Sequence, residues 1–208
     1  MARDGTQTRK RILDGAERLI LEQGFAATSV DAVLAEAGAS KGAFFHHFPT
    51  KNHLARALVE RYAAGDIEHL EVFMTQAEAE SDDPAEQLVA FIRLFEEASD
   101  QIVAEQPSCL YVSFIYERQL FDDGTNDVIV DTVLAWRKRL REKLEAAAAV
   151  HPPQLDVDLS SLADLVFVTF EGAFVLVRTL GDPSQMRRHL EHLRSYVTLL
   201  FGLQPTAA

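Results

Sequence analysis

The sequence has little of several features that define whole classes of protein. Its single cysteine, Cys109, cannot form a disulfide within the chain, which excludes a disulfide-stapled secreted scaffold and favours the reducing cytoplasm. Seven prolines and ten glycines in 208 residues exclude collagen-like and low-complexity chains. The first ten residues are polar and lack the apolar segment of a secretory signal peptide. We therefore expect a cytoplasmic protein, and the apolar content of 48% is that of a globular chain.

The sequence also lacks an uninterrupted membrane-spanning segment. Its longest apolar stretch, residues 162–180, contains Asp164, Glu171 and Arg178. A membrane span needs about 20 mostly apolar residues, and charged side chains near its middle are costly. The stretch therefore predicts a buried helix and no membrane partner.

Apolar residues recur at helical spacing almost throughout, and no run alternates as a β-strand would. This pattern predicts an all-α protein of two lobes with about nine helices. We expect one domain over residues 1–51 and a second over residues 52–208, with the helix from residue 52 connecting them. The predicted helices cover residues 8–23, 28–37, 41–48, 51 to at least 74, 84–104, 108–121, 126–149, 158–180 and 183–201.

Residues 28–48 have the form of a helix-turn-helix. Thr28 begins the first helix, Gly38 lies in a tight turn, and Ser40 is a good N-cap for a short second helix. The second helix of such a motif reads the major groove of DNA, while the first crosses the phosphate backbone. Its first turn offers four candidate contacts: Ser40, Lys41, Ala43 and Phe44.

The chemistry of these side chains fits base and phosphate recognition. Lys41 can donate hydrogen bonds to guanine or to a phosphate, and Ala43 and Phe44 can contact a thymine methyl group. Helix N-termini attract phosphate through their free N–H groups and the helix dipole. Three residues near predicted helix N-termini are therefore candidate phosphate contacts: Thr28, Thr50 and Lys51.

A longer segment around this motif resembles a known family. Residues 9–62 contain RKRILDGAERLILEQGF, TSVDAVLAEAGASKGAFFHHF and PTKNHLARAL, and they are similar to the N-terminal domain of the tetracycline-repressor (TetR/AcrR) family of transcriptional regulators. The stretch GASKGAFFHHFPTK matches the family pattern without a gap. The resemblance implies a three-helix DNA-binding head, an all-helical ligand-binding body and a homodimer on a palindromic operator.

The resemblance also implies roles for individual positions. Thr28 and Lys51 match the phosphate anchors of the family. Phe45 and His46 stand where the family often has tyrosines that contact phosphate. Because a phenyl ring has no hydroxyl group, we interpret Phe45 as a core residue, whereas His46 can partly replace the missing tyrosine. The positions that match the helix that reads the bases are Ser40, Lys41, Ala43, Phe44 and His47.

The net charge of −12 opposes DNA binding for the chain as a whole, but the charge is unevenly distributed. Residues 1–51 hold seven basic and six acidic residues, whereas the other 157 residues hold 13 basic and 26 acidic residues. The head is therefore nearly neutral and the body strongly acidic. We expect weak non-specific binding, few phosphate contacts and a strong dependence on the fit in the groove.

Two C-terminal segments have the composition of a subunit interface. Residues 162–177 are apolar nearly all round, which requires burial on more than one side. Two helices from each subunit would form a four-helix interface, although a helix of the chain's own core explains the same pattern. The predicted interface residues are Phe167, Gly172, Leu190, Leu193, Val197 and Leu200.

Aromatic residues of the body indicate a candidate ligand site. A cavity among them would suit a small hydrophobic or aromatic effector, and ordinary core packing explains the same residues. Glu171 and Arg178 are candidate polar contacts of this pocket or of an interface network. The candidate pocket residues are Phe91, Phe95, Tyr111, Phe114, Trp136, Phe170, Glu171 and Phe174, and Tyr116 and Phe121 belong to the same aromatic group.

Other features have competing interpretations. Cys109 at a predicted helix N-terminus can act as an oxidant sensor, but free cysteine is more often buried and inert. His189 and His192 lie one turn apart without a third ligand, so we expect no metal site. The alternative to a regulator is a small-molecule carrier or an enzyme in which the helix-turn-helix is only structural. The sequence has no nucleophile elbow, HExxH motif or phosphate-binding glycine loop, so we expect no enzymatic activity and no cofactor.

Overall fold

The computed structural model describes residues 2–106, 108–120 and 123–204, except the side chains of residues 2–4 and 123. In these ranges it has nine α-helices, one 3₁₀ helix (Arg118–Leu120) and no β-strand. This architecture confirms the predicted all-α fold and the number of helices. The helices are α1 Ala2–Gln23, α2 Val30–Ala37, α3 Lys41–His47, α4 Lys51–Glu80, α5 Pro84–Glu105, α6 Leu110–Ile115, α7 Asp123–Val150, α8 Leu159–Leu180 and α9 Ser184–Leu200.

Side-chain caps determine where several helices begin. The hydroxyl oxygen of Ser29 accepts a hydrogen bond from the N–H of Ala32 at 3.1 Å at the start of α2. Ser40 accepts from the N–H of Ala43 at 3.2 Å at the start of α3. Such caps satisfy N–H groups that have no partner within the helix. Ser29 rather than Thr28 therefore caps α2, and the helix begins at Val30 instead of residue 28.

The other helices differ from the predicted boundaries by more than one residue at three places. α1 begins at residue 2 rather than 8, and α7 begins at residue 123 rather than 126. The helix predicted over 108–121 is interrupted after α6, because the N–H of Glu117 bonds to the carbonyl of Phe114 at 3.1 Å and tightens the chain to 3₁₀ geometry. Residues 107, 121 and 122 lie outside the described part of the chain, and the candidate pocket residue Phe121 is among them.

The chain forms two compact units, and the first is built from two separate segments. Unit 1 contains residues 1–65 and 109–131, and unit 2 contains residues 66–108 and 132–208. The predicted boundary at residue 51 coincides with the start of α4, whose first half belongs to unit 1. α6 belongs to unit 1 as well, since it packs against α1.

The core of unit 1 holds the helix-turn-helix against α1 and the start of α4. Its packing fixes α3 with one side inward and leaves the other side open to solvent. The almost fully buried side chains include Ile12, Ala16, Ile20, Phe25, Val33, Phe44, Phe48, Leu54 and Leu58.

In unit 2, α9 packs against α5 and α8. An ion pair between Arg194 and Glu96 joins α9 to α5 at 2.8 Å, and one between Arg137 and Asp164 joins α7 to α8 at 2.6 Å. Asp164 of the second pair is one of the charged residues that interrupt the apolar stretch over residues 162–180. The interior of unit 2 is mostly apolar, with Gln87, Ser99, Thr132 and Thr198 as buried polar residues, and these charged pairs lie at the helix edges.

α8 is long and apolar enough to cross a membrane by length and composition, with a mean hydropathy of 1.7. Only one side of it is buried within the chain, whereas the sequence predicts burial on more than one side. On the other side Leu165, Val168 and Val175 are exposed. The buried side consists of Leu162, Ala163, Val166, Ala173, Phe174 and Val177.

Candidate nucleic-acid interface

The turn between α2 and α3 has the backbone geometry that a helix-turn-helix requires. Gly38 ends α2 in the left-handed conformation, with a φ of 57°. The N–H of Ala39 then bonds to the carbonyl of Leu34 at 3.0 Å, which closes the end of the helix. A side chain at Gly38 would strain this turn, because other residues rarely adopt a positive φ. α3 therefore leaves α2 at a fixed direction.

The two faces of α3 are sharply different. Phe44 is fully buried and packs against Phe48, with ring centroids 5.8 Å apart. Phe45, by contrast, is 45% exposed. The expectation of Phe45 as a core residue is therefore wrong, and Phe44 fills that position instead of facing the groove. The open face of α3 consists of Lys41, Gly42, Phe45 and His46.

The other predicted contacts near α3 are less accessible or already bonded. Ala43 and His47 are half-buried, so they lie at the edge of the open face. Ser40 is exposed, and its hydroxyl caps the helix. Thr50 is exposed at the start of α4, where its hydroxyl lies 2.8 Å from Nδ1 of the exposed His53. Thr50 and His53 thus form a small polar pair at a helix N-terminus, and the sequence analysis did not single out His53.

Thr28, predicted as a phosphate anchor, is only 1% exposed. Its hydroxyl donates a hydrogen bond to the carbonyl of Gly24 at 2.8 Å and accepts one from Nε2 of Gln23 at 3.3 Å. Its backbone N–H bonds to the carbonyl of Phe25 at 3.2 Å. The polar groups of Thr28 therefore hold the turn before α2 and are engaged within the chain.

Lys51, the second predicted anchor, is also engaged within the chain. Its Nζ donates a hydrogen bond to the carbonyl of Phe25 at 2.5 Å and lies 4.0 Å from the centroid of the Phe25 ring. Burial lowers the pKa of Lys51, and the charge of Glu117 opposes this shift. In this geometry Lys51 joins the start of α4 to the turn before α2 and does not point into solvent.

Glu117, which follows α6, was not found by sequence analysis. Its Oε2 accepts a hydrogen bond from the backbone N–H of Ala26 at 2.7 Å. Beside it, the rings of Phe25 and Phe114 lie 5.5 Å apart. A contact across 91 positions leaves no local pattern in the sequence. Glu117 thus ties the segment after α6 to the same turn that Thr28 and Lys51 hold.

Among the described residues of unit 1, Lys10, Arg18, Arg56 and Arg61 are paired with acidic side chains. Lys10 binds Asp14 at 2.7 Å, Arg61 binds Asp14 at 2.7 Å, and Arg18 binds Glu36. Lys41 has no acidic partner among the residues that the structure describes. The positive charge available on the open face of α3 is therefore that of Lys41.

The candidate pocket residues separate into two groups. Within unit 2, the ring of Phe95 lies 5.1 Å from that of Phe91, 5.9 Å from Trp136 and 5.1 Å from Phe170. Phe73, which the sequence analysis did not include, joins them at 4.5 Å from Phe95. We call these five rings the aromatic cluster.

The remaining candidates do not belong to this cluster. Tyr111 and Phe114 lie in unit 1, where Tyr111 contacts Tyr62 at 4.8 Å. Phe174 is buried, Glu171 is half-buried and Tyr116 is exposed.

The predicted interface residues of α9 are buried inside the chain. Leu190, Leu193, Val197 and Leu200 lie on the side of α9 that packs in unit 2, and Leu193 also lines the groove between α8 and α9. Phe167 is half-buried, whereas Gly172 is exposed. A groove of about 350 Å³ runs along the open side of both helices. We call this the α8–α9 face and define it by Leu165, Val168, Gly172 and Val175 of α8 and His189, His192, Tyr196 and Leu199 of α9.

The remaining candidates have ordinary structural positions. Cys109 is buried at the start of α6. The rings of His189 and His192 lie 6.1 Å apart. No group of three metal-binding side chains occurs in residues 2–106, 108–120 and 123–204.

Comparisons with known proteins agree with this arrangement of a helix-turn-helix and a helical body. Residues 12–58 match the family model for bacterial regulatory proteins of the tetR family, and residues 84–193 match the tetracyclin repressor-like C-terminal domain. The uncharacterized HTH-type transcriptional regulator YxaF of Bacillus subtilis (strain 168) is 39% identical over 182 residues, which cover 86% of this chain and 89% of YxaF.

Two further comparisons cover the head and the fold. The HTH-type transcriptional repressor AcnR of Corynebacterium glutamicum is 41% identical over 59 residues, 28% of this chain and 31% of AcnR. The crystal structure of a TetR-family transcriptional regulator from Agrobacterium tumefaciens has a TM-score of 0.75 at 21% identity and covers 92% of this chain and 97% of that one. With both domain models matched and one relative similar over most of its length, the chain belongs to the tetR family and is a DNA-binding transcriptional regulator.

Proposed function

We propose that the protein is a homodimeric regulator, most simply a repressor, that a small apolar or aromatic molecule releases from a pseudo-palindromic operator. The open face of α3 carries this proposal, since it presents outside the packed core the ammonium group of Lys41, which has no acidic partner in the described part of the chain. The protein acts in the cytoplasm by binding rather than by catalysis, and it needs no cofactor.

In the proposed complex, α3 lies in the major groove with Lys41, Phe45 and His46 toward the bases. Thr50 and His53, exposed at the start of α4, contact the phosphate backbone. Ser40, Ala43 and His47 lie at the edge of this surface. Because Lys10, Arg18, Arg56 and Arg61 are paired with acidic residues, fewer cations of unit 1 remain for phosphates, and we expect a modest salt dependence of binding.

The occupant of the α8–α9 face is a second copy of the chain. Val168, Val175 and Leu199 are 58%, 61% and 64% exposed, which is unusual for large apolar side chains on two neighbouring helices. The face repeats at intervals of three and four residues on each helix, the spacing of helices that pack along their length. Gly172 has open space around its Cα, so a partner helix can approach closely. Two-fold pairing of this face explains a palindromic operator, whose half-sites lie about 34–36 Å apart.

The effector binds at the aromatic cluster of unit 2. Its rings pack against one another, so a molecule that enters between them meets apolar edges and faces. A polar group lies at its margin, since the indole N–H of Trp136 donates a hydrogen bond to Asp66 at 3.1 Å. The molecule releases DNA only if it binds two arrangements of the protein with different affinity.

The test selects DNA fragments from a random library with the purified protein. The wild type is expected to enrich a pseudo-palindrome whose half-sites are about ten base pairs apart. Lys41→Glu is expected to abolish enrichment while the circular dichroism spectrum stays unchanged. Lys138→Glu is the matched control, because Lys138 is exposed on α7 in the acidic body. A wild type that enriches no sequence, or a Lys41→Glu variant that enriches the same one, supports the carrier or enzyme alternative instead.

A further inference from the structure

One aromatic side chain on the open face of α3 is out of place for a purely polar DNA contact. Phe45 is 45% exposed and stands one turn after Lys41. Its ring packs edge-on against Phe44, with centroids 5.2 Å apart. Because Phe44 and Phe48 already fill the core below, the ring of Phe45 is held at the surface.

The chemistry of a phenyl ring restricts what it can recognise in the major groove. It offers no conventional hydrogen-bond donor or acceptor, so it cannot bond a phosphate as a tyrosine hydroxyl does. On the edges of the bases in this groove, the apolar group is the C5 methyl of thymine. From this match we infer that Phe45 contacts one thymine methyl group in each half-site of the operator. This inference rests on the proposed function, because it requires α3 to lie in the groove.

The neighbours of Phe45 support this position. Lys41, on the same face, supplies the charge complementarity that holds α3 against DNA. Gly42 has open space where a side chain would stand, so the bases can approach the backbone beside the ring. Phe44 is fully buried and Ala43 half-buried, so neither presents an equally accessible apolar surface.

Deoxyuridine tests the inference, since it differs from thymidine only in lacking the C5 methyl. In an operator obtained by the selection described above, each thymine is replaced in turn, at symmetric positions, and affinity is measured by fluorescence anisotropy. At one thymine per half-site the wild type is expected to lose about fifteenfold in affinity, about fourfold for the lost burial of each of the two methyl groups. Phe45→Ala is expected to bind the thymine and deoxyuridine operators equally well, with an unchanged circular dichroism spectrum.

His46→Ala is the control, because His46 lies on the same face of α3. This variant is expected to lose affinity on replacement of thymine by deoxyuridine as the wild type does, whatever its overall affinity. Two results overturn the inference: a wild type indifferent to deoxyuridine at every position, or a Phe45→Ala variant that keeps the full sensitivity. Either result leaves the proposed function intact as long as an operator is bound. A chain that enriches no DNA at all refutes the proposed function, and the inference fails with it.

Discussion

The protein has two solvent-exposed faces of different composition: the open face of α3 in unit 1 and the α8–α9 face in unit 2. Their proposed partners differ in a corresponding way. The face of α3 carries one cation, one imidazole, one phenyl ring and one glycine. The α8–α9 face carries exposed Leu165, Val168 and Val175 on α8 and exposed Leu199 on α9. DNA offers charge and polar base edges. A second copy of a folded chain offers apolar surface.

The same comparison shows what the two faces share. In both α3 and α9 the larger set of apolar side chains packs into the core. Phe44 of α3 and Leu190 of α9 belong to this buried set. The exposed apolar residues, such as Phe45 and Leu199, remain outside that set. Because exposure of a large apolar side chain is unfavourable, their positions indicate surfaces that bind something.

The largest expected effect comes from placing a charge on the α8–α9 face. Val168→Arg is expected to convert a particle of about twice 23.2 kDa into one of 23.2 kDa, because it buries an unpaired guanidinium against its symmetric copy. Operator affinity should fall with it, since one head binds only a half-site. Light scattering measures the mass. Val150→Arg is the control, because Val150 is equally exposed on α7. A variant that keeps the mass of the dimer contradicts this assignment of the interface.

The second effect distinguishes the two neighbouring phenylalanines of α3. Phe44→Ala is expected to lower the free energy of unfolding by about 3–5 kcal/mol, since it leaves a cavity in the core of unit 1. Phe45→Ala is expected to lower it by less than about 1 kcal/mol, because half of the ring is already in water. Urea titration followed by circular dichroism, at one protein concentration, gives both values. Equal losses for the two variants would mean that the faces of α3 are not as distinct as described.

The helices of the chain and the two phenylalanines of α3 show where prediction from sequence succeeded and where it could not. Helical periodicity and caps predicted nine helices, and a glycine between two capped helices predicted the helix-turn-helix. With aromatic residues at both 44 and 45, the local pattern does not decide which ring faces inward. That choice depends on how α1 and α2 pack against α3, which is a tertiary property.

The turn before α2 shows the same limit more strongly. Thr28 and Ser29 are adjacent hydroxyl residues, and either one satisfies the sequence pattern of a cap. Ser29 caps α2 because Thr28 is held inward by Gly24 and Gln23. Glu117 reaches the same turn from a distant segment, so neither its role nor the internal engagement of Lys51 follows from local sequence.

The third effect distinguishes the two sides of α9. Leu190→Ala is expected to cost about 2–5 kcal/mol of unfolding free energy without weakening association, because Leu190 is buried within the chain. Leu199→Ala is expected to weaken association, by about 2 kcal/mol for each copy that loses its buried side chain, with little effect on the fold of the chain. Sedimentation over a concentration series measures association, and near-ultraviolet circular dichroism monitors the fold. If Leu190→Ala weakens association and Leu199→Ala does not, the interface lies on the side of α9 that packs in unit 2.

The smallest effect separates the free lysine of the head from the engaged one. Lys41→Gln is expected to reduce the slope of log K against log salt by about 0.9 for each α3 while leaving stability unchanged, because one ion contact with DNA is lost per head. Lys51→Gln is expected to leave the slope unchanged and to lower the free energy of unfolding by about 1 kcal/mol, since it removes the bond to the Phe25 carbonyl.

Operator titrations at several salt concentrations, together with urea unfolding, measure both quantities on the same preparations. Lys138→Gln serves as the control for total charge, since its ammonium group lies on α7 in the body, 4.0 Å from Glu142. A smaller slope for Lys51→Gln would mean that Lys51 leaves Phe25 and binds a phosphate in the complex. That outcome would restore the anchor role that the family resemblance implies, and the open face of α3 would then share its positive charge with the start of α4.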